Sequence, residues 1–123
     1  MHELSIVSVL AEKILGFLDE QKALKVLVVR VAVGELTLLE AEQMRFCYTA
    51  VSQGTPLQGS CLEIETVQAA VECAVCRYQG RPKYWDDALA FVAVPTLECP
   101  GCGAAAEAVR GHECEIKSVQ FVR

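Results

Sequence analysis

Basic residues are scarce in this sequence: only 11 Lys and Arg accompany 16 Asp and Glu among 123 residues, which gives a net charge of −5. Binding to a nucleic-acid backbone relies on Lys and Arg that neutralise phosphates, so this balance disfavours a nucleic-acid-binding protein. The sequence also lacks an apolar run of about 20 residues, the length that a membrane-spanning helix needs. The opening Met1-His2-Glu3 has no basic stretch of the secretory type, so we expect a cytosolic protein without membrane attachment.

Residues that support common catalytic mechanisms are equally scarce. Only two histidines are present, His2 and His112, and neither has a nucleophile–base arrangement around it in the sequence. The phosphate-binding motif G-x-x-x-x-G-K-[ST] is absent, so any nucleotide hydrolysis linked to this protein would belong to a partner. We therefore expect a protein that is not an enzyme.

Hydrophobic periodicity predicts an α+β fold. The pattern indicates a helix over 4–20 and, after it, a largely buried strand rich in β-branched residues over 26–33. A second helix is predicted over 38–53 and ends at Gly54-Thr55-Pro56. Its plausible core positions are Leu38, Ala41, Phe46, Ala50 and Val51.

Two further strands complete the predicted sheet. They cover 60–67 and 113–121, and the alternation of the second strand slips near Ser118, as at a β-bulge. We expect two helices packed on a three-stranded sheet. The predicted α/β domain comprises 1–67 plus 112–123, and residues 68–111 form an inserted domain with too few apolar residues to fold on a core alone.

The insert contains two C-x-x-C pairs, Cys73-Ala-Val-Cys76 and Cys99-Pro-Gly-Cys102. Each such turn directs two thiolates at one ion, and two turns complete the tetrahedral site that structural zinc prefers. In zinc-finger peptides this binding is worth about 10–16 kcal/mol, enough to replace a missing core. Two alternatives stay open. One is a redox dithiol. The other is an iron site, because Cys-Pro-Gly-Cys-Gly resembles a metal-binding turn of rubredoxin.

The other three cysteines, Cys47, Cys61 and Cys114, are interpreted as structural side chains.

The sequence supports two interpretations of His2. On composition alone it is an exposed side chain at a frayed terminus. Yet a free α-amine, the amide nitrogen of residue 2 and the imidazole Nδ1 together chelate Ni(II) or Cu(II) in adjacent rings. The first N–H groups of a helix lack acceptors within the helix, so metal can bind there without breaking it.

Several motifs together resemble one family. The opening Met-His-Glu-Leu-Ser, a strand that ends in Val-Gly-Glu-Leu, the segment Arg-Phe-Cys-Tyr, the two C-x-x-C pairs and the closing Gly-His-Glu-Cys-Glu-Ile-Lys-Ser-Val span essentially the whole chain. This combination closely resembles the HypA/HybF family of nickel metallochaperones, which act in hydrogenase maturation.

The resemblance implies a nickel-binding α/β domain and a zinc-ribbon domain. It assigns nickel to His2 with backbone nitrogens of Met1, His2 and Glu3, and a tuning role to the Glu3 side chain. Glu40 is the nearest match to an acidic residue that some members use, whereas His112 is interpreted as a surface residue. The implied zinc ligands are Cys73, Cys76, Cys99 and Cys102.

The resemblance also implies partners: the nickel-handling GTPase of the pathway, the hydrogenase large subunit and, in some bacteria, urease maturation factors. Two other classes of function stay open at the level of sequence. One is a zinc-ribbon adaptor for nucleic acid or protein, which the mixed charges around the two C-x-x-C pairs disfavour. The other is a rubredoxin-like electron carrier, which visible absorption by ferric tetrathiolate would distinguish from a zinc protein.

Overall fold

A computed structural model describes residues 3–85 and 94–123 of the chain. Its helices and strands, in chain order, are α1 (Glu3–Gln21), β1 (Lys25–Gly34), α2 (Ala41–Ser52), β2 (Cys61–Val67), β3 (Ala70–Glu72), β4 (Gln79–Gly80), β5 (Tyr84–Trp85), β6 (Val94–Pro95), β7 (Glu107–Arg110) and β8 (Cys114–Val122). The chain forms two compact units. The first comprises Met1–Ala32, Leu39–Glu65 and Cys114–Arg123, and the second comprises Val33–Leu38 and Thr66–Glu113.

Helix α1 of the first unit is amphipathic, as the sequence predicts. Its buried residues recur every three or four positions and form one face, made of Val7, Leu10, Ala11, Ile14 and Leu18. This face lies toward the interior, and α1 packs against α2. Phe17 also contacts Phe121 of β8 edge-to-face, with ring centroids 5.5 Å apart.

The sheet of the first unit has three strands in the order β2-β1-β8, so β1 is central. Leu24 N–H donates to the Val122 carbonyl at one end, and Gly34 N–H donates to the Glu113 carbonyl at the other. These two bonds show that β1 and β8 run antiparallel. The α+β fold class, with two helices and a three-stranded sheet, is therefore confirmed. The exposure pattern of β8 shifts by one residue between Lys117 and Ser118, where the sequence predicts a slip.

The predicted start of α2 and its predicted buried face are wrong. A short 3₁₀ turn over Glu35–Thr37 precedes the helix, and Leu38 adopts a left-handed conformation with φ of 57°, which stops helix from forming there. The helix begins only at Ala41. Leu38 and Phe46 are 66% and 72% exposed.

The buried row of α2 consists instead of Met44, Tyr48 and Ser52, which lie four residues apart. Tyr48 could be mistaken for a surface residue because it carries a hydroxyl. That hydroxyl is paired with the Ser60 hydroxyl at 2.5 Å, so the ring can be buried without leaving a polar atom unsatisfied. Because Tyr48 carries this hydroxyl, a search for apolar residues overlooks it and predicts the wrong buried face of α2.

The second unit has little regular structure. Strand β3 lies between β4 and β7 in an antiparallel sheet, and β5 pairs with β6. Its small core consists of Val71, Cys73, Cys99 and Ala106, with Tyr78 and Ala104 packed against it. Two of these four buried side chains are cysteines of the C-x-x-C pairs, so the core and the candidate metal centre coincide.

Among the described residues, no helix combines the length and the apolar composition that crossing a membrane requires.

Candidate metal centres

The two C-x-x-C pairs form one cluster in the second unit. The sulfur atoms of Cys73, Cys76, Cys99 and Cys102 all lie within 4.8 Å of one another. Two distances across the pairs are shorter, 3.6 Å from Cys73 to Cys102 and 3.5 Å from Cys76 to Cys99. With Zn–S bonds of about 2.3 Å, the sulfur atoms of a tetrahedral site are about 3.8 Å apart. The four donor atoms therefore have the arrangement that one zinc ion requires.

Both pairs lie on turns, here called knuckles, that have the same backbone hydrogen bonds. In the first knuckle, Cys73 N–H donates to the Tyr78 carbonyl, and Arg77 N–H donates to the Cys73 carbonyl, each at 2.8 Å. In the second, Cys99 N–H donates to the Ala104 carbonyl at 2.8 Å, and Gly103 N–H donates to the Cys99 carbonyl at 2.9 Å. Equivalent bonds at equivalent positions indicate that both segments fold into the same thiol-presenting turn.

The fifth residue of each knuckle is left-handed, with φ of 65° at Arg77 and 78° at Gly103. Glycine accepts this conformation at no steric cost, whereas a residue with a Cβ is strained in it. The strain at Arg77 is tolerated where the turn must direct both thiols of its knuckle to one point.

The protonation chemistry of the cluster also suits a cation. The N–H of Cys76 is directed at the Cys73 sulfur and lowers the pKa of Cys73 to about 7, against an opposing effect of burial. The N–H of Cys102 lowers the pKa of Cys99 in the same way. At Cys76 the Tyr78 N–H acts to lower the pKa, but the neighbouring thiols and burial outweigh it, and the pKa rises to about 12.

Neighbouring thiols and burial raise the pKa of Cys76 and Cys102, since four thiolates so close together would repel one another. A divalent cation removes that repulsion and allows all four thiols to ionise. The donor set is all sulfur, which favours a soft or borderline metal such as zinc over calcium or magnesium. The residues present therefore fit a tetrahedral zinc ion.

The nickel site implied by the resemblance falls mostly outside the described residues, because Met1 and His2 are not among them. Glu3 is the first residue of α1, and it is only 6% exposed. Its Oε1 accepts a hydrogen bond from the backbone N–H of Glu40, at 3.4 Å. The structure thus brings Glu3 to the start of α2, although the Glu40 side chain itself is exposed.

The remaining cysteines and the second histidine are not members of the four-sulfur cluster. Cys47 and Cys114 are half-buried, whereas Cys61 is exposed at the start of β2. Burial raises the pKa of the Cys114 thiol, which keeps it protonated and unreactive at neutral pH. His112 is exposed, in agreement with its interpretation as a surface residue.

The sequence gives no sign of a polar network that surrounds Glu35. The Glu35 Oε1 accepts hydrogen bonds from the Ala69 N–H at 2.8 Å and the Tyr84 hydroxyl at 2.6 Å. The Arg81 guanidinium lies 4.9 Å from the centre of the Tyr84 ring and 3.6 Å from Glu35 Oε2. Ala69 and Tyr84 are 34 and 49 residues from Glu35, so these contacts leave no periodic pattern in the sequence. From the sequence alone, Arg81 is interpreted as a solvated surface charge.

Fold and site together define a class: an α+β protein that carries a second small unit built around a four-thiol metal centre. The family model described as "Hydrogenase/urease nickel incorporation, metallochaperone, hypA" matches residues 1–121. The chain therefore belongs to the HypA family.

Relatives from two archaea support this membership. The hydrogenase maturation factor HypA of Methanopyrus kandleri is 36% identical over 134 aligned positions, which cover 98% of this chain and 93% of that protein. The factor of the same name from Methanothermobacter thermautotrophicus is also 36% identical, and the match covers 98% of this chain and 97% of that protein.

Two solved structures have a similar fold. The solution structure of the Ni metallochaperone HypA from Helicobacter pylori has a TM-score of 0.63 at 21% identity and matches 99% of this chain and 98% of that one. A second solution structure of a HypA protein has a TM-score of 0.66 at 20% identity, with coverage of 99% and 97%. At these identities the likeness concerns the fold.

Proposed function

We propose that this protein is a carrier that binds Ni(II) at its N-terminus and delivers it for the maturation of [NiFe]-hydrogenase, and in some settings of urease. The observation that carries the proposal is the family match, which runs from residue 1 to residue 121 and so includes the opening Met-His-Glu. The role is delivery of a metal ion to another protein and not catalysis, and the cytosol is the expected compartment because it keeps thiols reduced.

The proposed nickel ligands are the imidazole of His2 and backbone nitrogens of Met1, His2 and Glu3. Ni(II) displaces amide protons and prefers the square-planar geometry that consecutive nitrogens provide. The burial of Glu3 and its hydrogen bond to the Glu40 N–H support a fixed position for the residue that follows His2. Copper binds such ligands more tightly than nickel, so selectivity would come from metal availability and from the partner.

The proposed second metal is a resident zinc ion held by Cys73, Cys76, Cys99 and Cys102. Four thiolates leave no open coordination position, so this ion would stabilise the second unit without acting on a substrate. On this proposal the nickel domain comprises 1–67 plus 112–123, and the zinc-ribbon domain comprises 68–111. The partners we propose are the nickel-handling GTPase of the pathway and the hydrogenase large subunit.

The two histidines of the chain allow a matched test of the nickel site. We expect His2→Ala to abolish tight binding of Ni(II), measured by calorimetry on untagged zinc-loaded protein. His112→Ala removes an exposed imidazole elsewhere and should leave the titration unchanged. Equal affinity in the His2→Ala variant and the parent would refute the proposed site, and loss of binding only in His112→Ala would move it to the other histidine.

A further inference from the structure

The four cysteines of the cluster differ sharply in exposure. Cys73 and Cys99, the first cysteine of each knuckle, are 1% and 0% exposed. Cys76 and Cys102, the second cysteine of each knuckle, are exposed at the surface. A small oxidant in solution therefore approaches Cys76 and Cys102 more readily than it approaches Cys73 and Cys99.

Each exposed sulfur lies close to a buried sulfur of the opposite knuckle. Cys76 is 3.5 Å from Cys99, and Cys102 is 3.6 Å from Cys73. In redox-sensing proteins, an exposed thiol that is oxidised first lies beside a second thiol that resolves it as a disulfide. The two pairs with these short distances both join the knuckles instead of closing a single C-x-x-C.

We propose that this cluster is an oxidation site at which hydrogen peroxide converts four thiols into two disulfides between the knuckles, Cys76–Cys99 and Cys73–Cys102. The inference rests on the zinc centre proposed above. Exposed Cys76 and Cys102 are the sites of attack, and buried Cys99 and Cys73 resolve them.

The chemistry balances for each pair. With the four thiols ionised, as a bound divalent cation would allow, the exposed thiolate attacks one peroxide oxygen, the O–O bond breaks, hydroxide leaves and the sulfur becomes a sulfenic acid, oxidised by two electrons. The buried thiolate then attacks this sulfur, the S–S bond forms, the S–O bond breaks and a second hydroxide leaves. Two thiols and one peroxide thus give one disulfide and two waters. Loss of the thiolate ligands releases the zinc ion, and a small thiol reductant reverses the change.

Trypsin provides a direct readout, because the two knuckles fall on separate peptides. Cleavage after Arg45, Arg77, Lys83 and Arg110 places the first knuckle on peptide 46–77 and the second on peptide 84–110. We would treat zinc-loaded full-length protein, with Cys47, Cys61 and Cys114 replaced by Ser, with peroxide and digest it without reduction. Disulfides between the knuckles join the two peptides, and tandem mass spectrometry then assigns the sulfur atoms.

The expected result is a joined peptide pair with Cys76–Cys99 and Cys73–Cys102 bonds, together with zinc release measured by a chromogenic chelator. Two separate peptides, each with an internal Cys73–Cys76 or Cys99–Cys102 disulfide, would overturn the proposal. Zinc content is measured before peroxide is added, so failure of the zinc centre is recognised independently of the disulfide pattern.

A second measurement on the wild-type chain does not depend on any variant folding. Brief alkylation of the zinc-loaded protein with iodoacetamide should label Cys76 and Cys102 about tenfold faster than Cys73 and Cys99, because exposure limits attack. Cys61, exposed but outside the cluster, serves as the internal reference for an accessible thiol. Faster labelling of Cys73 or Cys99 would contradict the assignment of attacking and resolving sulfurs.

Discussion

At the scale of single residues, Glu35 joins chain segments that are distant in sequence. One of its carboxylate oxygens accepts hydrogen bonds from the Ala69 N–H and from the Tyr84 hydroxyl, and the side chain is only 23% exposed. Hydrogen bonds to a charged acceptor are stronger than neutral ones, and a half-buried donor that loses its partner is costly. Glu35 therefore stabilises the point where the chain enters the second unit.

We predict that Glu35→Ala destabilises this contact by about 1–3 kcal/mol, because two donors lose their acceptor. Hydrogen exchange of the Ala69 amide should become about tenfold faster or more. Glu35→Gln keeps an acceptor oxygen and should restore much of the protection. The matched control is Glu63→Ala, which removes an exposed ion pair with Arg30 and should cost only about 0.2–1 kcal/mol. Unchanged exchange of the Ala69 amide in Glu35→Ala would contradict this role.

At the scale of elements, prediction from sequence succeeded where a pattern repeats locally. The helix α1 and the strands β1 and β2 follow from periodicity, and the four-cysteine cluster follows from two equal spacings. It failed at α2, because the left-handed Leu38 and the hydroxyl pair of Tyr48 with Ser60 are not visible as hydrophobicity. The exposed Phe46 shows, conversely, that an apolar side chain need not face the core.

Two glycines in different elements should respond in opposite ways to alanine. Gly16 lies within α1, and a Cβ added there meets nothing within 4 Å, so Gly16→Ala should stabilise the protein by about 0.5–1 kcal/mol. A Cβ at Gly34, at the end of β1, would overlap the carbonyl group of Gly111. Gly34→Ala should destabilise the protein by about 1–3 kcal/mol or more. Urea denaturation of zinc-loaded protein gives both values, and a stabilising Gly34→Ala would show that the Gly34 and Gly111 backbones are not so close.

The knuckles should depend on all four sulfur atoms, since the core of the second unit contains two of them. We predict that Cys102→Ala releases zinc and exposes the backbone of residues 68–111, because the metal supplies what a small apolar core lacks. Elemental analysis and hydrogen exchange measure the two effects. Cys61→Ala removes an exposed cysteine outside the cluster and should change neither. Full protection of the second unit in a zinc-free Cys102→Ala protein would contradict a stabilising role for the metal.

At the scale of the whole molecule, the proposed nickel site and the proposed zinc site belong to different units. The first contains α1, whose first residue is Glu3, and the second contains the four-sulfur cluster. The sequence predicts domains of 1–67 plus 112–123 and of 68–111, whereas the second compact unit also includes residues 33–38, 66–67 and 112–113. That grouping depends on contacts such as Glu35 with Ala69, which join residues 34 positions apart and so escape any local pattern.

The central claim is that the free amino terminus itself binds nickel, and one titration tests it most directly. Untagged protein that begins at Met1 should bind one Ni(II) ion per chain near neutral pH. The same protein with a short Gly-Ser peptide fused ahead of Met1 should bind at least about tenfold more weakly, because the amine has become an amide. Equal binding by both proteins, or no stoichiometric uptake by the untagged one, would contradict the account.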